Sequence, residues 1–202
     1  MNKKIIPCFL LVFTLVFGAG AGQAAVISLL PSTMDVGIGD GTVVFDINAD
    51  FTDQTSPPLW GGSVNIAYDP GVLSFNSFTY SDFLIDIDVA DVTDNFDLLN
   101  VSTSAGLVSN IGFLDVAAFF GLPGVVPLTG DFSLGTLVLN SLQLANGSNV
   151  TLSSNVVWEN ALGPISVDYQ NAQVNVVPIP GALWLLGTGL VGLVGLNRRR
   201  KS

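Results

Sequence analysis

The chain has 202 residues, 49% of them apolar and only 11% charged, with a formal net charge of −10; it is too apolar for a disordered polymer and long enough for one domain with its own core. All six basic residues lie at the ends, Lys3 and Lys4 at the front and Arg198, Arg199, Arg200 and Lys201 at the back. The sixteen acids between them, fifteen Asp and Glu159, have no Lys, Arg or His for company, so the middle of the chain forms no side-chain salt bridge and repels the phosphates a nucleic-acid binder must neutralise.

Residues 1–24 have the three parts of a secretory signal peptide: a positive start, an apolar run from Ile5 through Phe17, and small residues from Gly18 to Ala25. Cleavage is expected between Ala24 and Ala25, with Gly22 and Ala24 as the small residues before the cut. Cys8, the only cysteine, precedes the apolar run's end and is therefore not a lipid-modified cysteine; the mature domain has neither disulfide nor thiol.

From residue 25 to 176 the pattern is short strands separated by turns. Val43, Phe45, Ile47, Ala49 and Phe51 alternate with Val44, Asp46, Asn48 and Asp50, the period of a half-buried strand. Phe83, Ile85, Ile87 and Val89 alternate in the same way with Leu84, Asp86 and Asp88, predicting a second such strand with its acids facing out. Further strands are predicted at 64–68, 111–116, 132–139, 150–152, 156–158 and 172–177. Asp69-Pro70-Gly71, Leu122-Pro123-Gly124 and Asn146-Gly147 supply turn chemistry, and no long helix is expected before residue 181. Such spacing predicts an all-β fold, an antiparallel β-sandwich, with Phe45, Trp60, Phe75 and Trp158 as core fillers.

Catalytic options are narrow. A domain without His, Cys, Lys or Arg has no Ser-His-Asp triad, no thiol nucleophile and no cationic clamp, so no catalytic residue is assigned; a pair of Asp acting as glycosidase acid and base is the enzymatic alternative. Asp82, Asp86, Asp88, Asp91, Asp94 and Asp97 form the densest acid run. It departs from the EF-hand pattern, and no metal site is assigned, although calcium, an oxygen-seeking cation, is the one cofactor these acids invite and a calcium-dependent adhesion module is a further alternative.

The last segment, 177–202, has three parts. Val177-Pro178-Ile179-Pro180 disfavours a helix and favours extended backbone. Residues 181–196 are apolar, Gly or Thr, and as a helix span about 24 Å at ~1.5 Å per residue, close to a ~30 Å hydrocarbon core. Residues 197–202 follow with Arg198, Arg199, Arg200 and Lys201, a basic stop that remains cytoplasmic and leaves the acidic domain on the other side of the membrane.

Together, proline motif, apolar helix with Trp184, and basic stop resemble a PEP-CTERM sorting signal, with Ile179 where that family has Glu. The resemblance implies recognition by an exosortase after passage through the secretion machinery, membrane anchoring by the helix before processing, and delivery to the cell surface or extracellular matrix of a bacterium that makes polysaccharide. The middle resembles cohesin-like domains through Val36–Phe45, Gly61–Phe75 with its Tyr68-Asp69-Pro70-Gly71-Val72-Leu73, Leu134–Leu139, Gly147 and Val150–Leu152. That likeness covers most of residues 26–176 and implies a cohesin-like jelly roll. The expectation is an exported, non-enzymatic surface or matrix protein whose partners are surface proteins or extracellular polysaccharide.

Overall fold

The alternation at 43–51 builds the central strand of one sheet. In the computed structural model, which describes residues 24–38, 41–52, 59–90, 96–115, 128, 130–178 and 188, Val43, Phe45, Ile47, Ala49 and Phe51 are buried while Asp46, Asn48 and Asp50 face out. The elements are β1 (Ala25–Leu30), β2 (Thr33–Gly37), β3 (Thr42–Phe51), β4 (Leu59–Ala67), β5 (Leu73–Tyr80), α1 (Asp82–Ala90), β6 (Phe96–Leu98), β7 (Ser102–Ser104), β8 (Leu107–Asp115), β9 (Gly130–Ser141), β10 (Ala145–Asn160), β11 (Gly163–Pro164), β12 (Val167–Gln170) and β13 (Ala172–Val177).

Two sheets enclose one apolar core. The smaller has strand order β12-β1-β3-β9-β5; the larger has order β2-β13-β10-β4-β8-β6, with β11 on β10 and β7 on β8. Most ladders are antiparallel, as expected, but β1 pairs with β12 and β2 with β13 in parallel. The sheets are therefore mixed. The parallel pairs arise because the β1–β2 segment serves both sheets and lies alongside the returning β12–β13 segment, with Gln173 N bonded to Ser32 O at 2.9 Å.

The molecule has two unlike poles. At the first, hereafter the tail pole, β2, β9 and β13 end while β3, β5 and β10 begin. At the far pole the rings of Phe51, Phe113, Phe132 and Trp158 pack with centroids 5.3–6.4 Å apart, a spacing at which aromatic pairs add to plain area burial. Of the four aromatics expected inside, Phe45 and Trp158 are fully buried. Phe75 is half-buried against the core and Trp60 half-buried on β4.

Three local expectations are corrected. Residues 82–90 form α1 and not a strand. Leu84 and Ile85 donate their N–H to Ser81 O, each at 3.1 Å, and the Ser81 hydroxyl lies within 3.4 Å of Leu84 N; Ser81 is thus an N-cap, with Asp82 in a first turn where negative charge is favoured. Leu84 is buried while Phe83 and Ile85 are exposed, the inverse of the predicted strand faces. Residues 150–152 and 156–158 belong to one strand, β10, whose register shifts keep both stretches paired to β4. Asn146-Gly147 is a bulge in β10 opposite β13, where Gly147 has φ +71° and its N–H reaches Asn175 Oδ1 at 2.7 Å.

Candidate functional site: two unlike sheet faces

With no cation between residues 5 and 197, each carboxylate must be solvated by water or by neutral donors. On the smaller sheet's outer face, Asp168, Val26, Asp50 and Asp131 form one row across β12, β1, β3 and β9, and Asp46 lies further along β3. Asn48 Nδ2 donates to Asp131 at 2.6 Å, and Ser133 Oγ to Asp46 at 2.5 Å. The Thr52 hydroxyl and, less strongly, its backbone N–H hold the Asp50 carboxyl below its ordinary pKa. Like charges opposed across strands repel, so this face is built to stay in water.

The larger sheet's outer face is different. One row holds Thr151, Ala67, Leu107 and Ser104; a second pairs Ser153 with Asn65; a third holds Val156, Ser63 and Gly112. Among the described side chains, acids stand only near its margins, Asp35 on β2 and Glu159 near the end of β10. At the centre, Ser63, itself fully buried, donates its Oγ to the exposed Asn155 at Oδ1, Asn155 Nδ2 donates to Asn110 Oδ1, and Asn110 N–H reaches Asn65 Oδ1 at 3.3 Å, so that the amides of Asn65, Asn110 and Asn155 are what the patch presents. Asn110 takes φ +62°, a left-handed conformation that Asn tolerates better than most residues, beside an irregularity in the β4–β8 ladder. Toward the far pole the patch is bordered by exposed Leu114, Val156 and Val157.

Beneath this face, Tyr80 ties the two sheets together. From β5 its hydroxyl donates to Leu99 O at 2.7 Å and accepts from Gly112 N at 3.3 Å. Burial pushes the phenol's pKa up, with the Gly112 contact opposing.

Among the residues singled out from sequence, Ala25 opens β1 at the far pole, buried, with its N–H on Ser166 O at 3.0 Å. Val177 closes β13 at the tail pole, where its carbonyl accepts from Ile38 N at 3.1 Å, and Pro178 follows. The structure thus sets the two ends of the described domain, Ala25 and Val177, at opposite poles. The leader up to residue 23, Ile179, Pro180, the basic stop Arg198, Arg199, Arg200 and Lys201, and the 122–124 turn lie outside the described residues. So does the apolar block except Thr188; no described helix is long and apolar enough to cross a membrane. Of the acid run, Asp82 and Asp86 are exposed on α1, Asp88 is on the same helix, Asp97 is on β6, and Asp91 and Asp94 lie outside the described residues. Among the described residues no three His, Cys, Asp or Glu are gathered as a metal site.

The Ser63–Asn65–Asn110–Asn155 patch went unseen in the sequence. Its one signal there is that Ser and Asn, not Asp, occupy the outward positions of β4, β8 and the middle of β10. Seeing it requires the pairing of strands about ninety residues apart, as Ser63 and Asn155 are.

No protein-family model matches the chain, and no curated protein sequence matches it. Solved structures do. A cohesin from Clostridium acetobutylicum aligns with TM-score 0.53 and 17% identity over 77% of this chain and 92% of its own. The seventh ScaB type I cohesin from Pseudobacteroides cellulosolvens aligns with TM-score 0.55 and 13% identity over 77% and 94%. A non-cellulosomal cohesin from the archaeon Archaeoglobus fulgidus aligns with TM-score 0.52 and 14% identity over 79% and 95%. At such identities the likeness is one of fold, and the two-sheet domain of this chain has the cohesin fold.

Proposed function

We propose that this is an exported, non-enzymatic surface or matrix protein whose sandwich holds a protein partner on the outer face of its larger sheet, and whose tail is handled by an exosortase. The observation that carries the binding reading is the contrast between the two faces. Interface centres are depleted of charge, and apolar side chains are common where a contact is desolvated. The larger sheet offers neutral amides and hydroxyls beside Leu114, Val156 and Val157, whereas the smaller sheet carries four aspartates that a partner would have to desolvate. Solved complexes in which a cohesin is bound to a dockerin, such as one from Clostridium thermocellum, show that the fold serves protein binding elsewhere. The export and sorting parts rest on the leader and tail sequences.

A photo-crosslinking residue at Asn155 in the native host should form a discrete protein adduct, and one at Asp131 should not. Adducts from Asp131 alone, or equally from both, would sink the assignment of the face. Intact mass of the host-derived protein tests sorting separately. A chain that begins at Ala25 and lacks Arg198–Lys201 supports it, whereas retention of that basic stop refutes tail removal.

A further inference from the structure

The tail pole carries an apolar patch that the proposed partner face does not use. Leu142 and Leu144, in the turn joining β9 to β10, are 50% and 48% exposed, and Val177 is 38% exposed. They are neighbours: Ala145, next to Leu144, pairs with Val176, next to Val177. The turn is held firmly, with Leu142 N on Val72 O at 2.8 Å, Ser141 N on Gly41 O at 3.0 Å and Ser141 Oγ on Gly37 O at 2.7 Å. Two leucines held outward in so acidic a domain are therefore a built feature of this pole and not the consequence of a loose loop.

The chain itself says what lies beneath them. Val177 is fixed in the sheet, and the apolar block starts at Gly181. The four Cα-to-Cα steps from Val177 to Gly181, fully extended, reach only about 14 Å. If residues 181–196 enter the bilayer, the tail pole has no room to stand away from it.

We propose that the Leu142–Leu144 turn, with Val177, rests in the lipid headgroup region on the non-cytoplasmic side, so that the sandwich is seated on the membrane while its tail is in place. This rests on reading 181–196 as a membrane span. An apolar surface need sink only about 5–10 Å to meet the acyl boundary, and a tethered contact needs little affinity of its own, because the tether holds its local concentration high. The seat also brings Pro178, where the chain leaves β13, to the membrane surface.

Cys8 is the only cysteine and lies within the leader, so a cysteine introduced into the exported chain is its one thiol. Exported chain is reconstituted at one copy per phosphatidylcholine nanodisc, with an environment-sensitive dye at Gln143→Cys, at Leu162→Cys on the far pole, or at Thr188→Cys in the tail. The expected result is strong quenching of the 143 and 188 dyes by spin-labelled lipid, with the 162 dye unaffected. In a Leu142→Ser/Leu144→Ser chain, the 143 dye should lose more than half of that quenching and the 188 dye none. Quenching at 188 without quenching at 143 overturns the seat and leaves the membrane span standing. No quenching at 188 overturns both.

Discussion

At the scale of single residues, neutral donors do the work that cations do in most acidic proteins. Asp50 is the clearest case. Its folded pKa is lowered by Thr52, so its contribution to stability is present above the unfolded value, about 3.9, and is lost as pH falls through the folded one. Thr52→Val should move the Asp50 titration, followed by carboxyl-carbon NMR, back up toward the ordinary value; an unmoved midpoint would mean that the hydroxyl has no part in it. Tyr80 is a second case. Tyr80→Phe removes a donor and an acceptor at once and should destabilise the domain by about 1–2 kcal/mol in urea unfolding. A loss near zero would show the bridge between the sheets to be unimportant. None of this was legible in the sequence, where Tyr80 is one aromatic among many and its partners Leu99 and Gly112 contribute only backbone atoms.

At the scale of elements, sequence pattern worked where one face is buried and failed where the pattern is ambiguous. β3 was read correctly because its alternation extends over ten residues and both sheet neighbours enforce it. The stretch Phe83–Val89 alternates as cleanly, yet it folds as a helix, since apolar residues at nearly every other position also give a helix something to bury, and Ser81-Asp82 supplies the cap. The cap was the signal to weigh. Close packing between elements was likewise invisible beforehand. A Cβ on Gly62 would lie 2.4 Å from Trp158 Cδ2, and that indole is wedged among Phe51 and Phe113 with nowhere to retreat. Gly62→Ala should therefore cost about 3 kcal/mol by overpacking, read as a lowered denaturation midpoint. Retention of the parent midpoint would mean that β4 shifts freely against β10.

At the scale of the whole molecule, the governing fact is sixteen acids with no base among them, which was plain in the sequence. Within residues 25–177, which hold no Lys, Arg or His, added salt has no side-chain ion pair to weaken and only repulsion to screen. The melting temperature should accordingly rise when NaCl goes from about 10 mM to about 150 mM, as the Debye length falls from about 30 Å to about 8 Å. A fall would mean that unseen attractive pairs outweigh the repulsion. The cohesin-like architecture was also legible, through turn and strand motifs spread over the domain. Its mixed sheets, its two poles and the contrast between its faces were not, because they depend on which distant strands become neighbours.

The position of β13 has a mechanical consequence. Any pull on the domain through its C-terminal tail enters at Val177, along the axis of a strand bonded on one side to β10 and on the other to β2. Such a force slides β13 lengthwise, so that the hydrogen bonds of both ladders resist together instead of opening one at a time from an edge. A protein held to a cell by this end and gripped on its sheet face by a partner would meet fluid drag with both of these ladders loaded in shear.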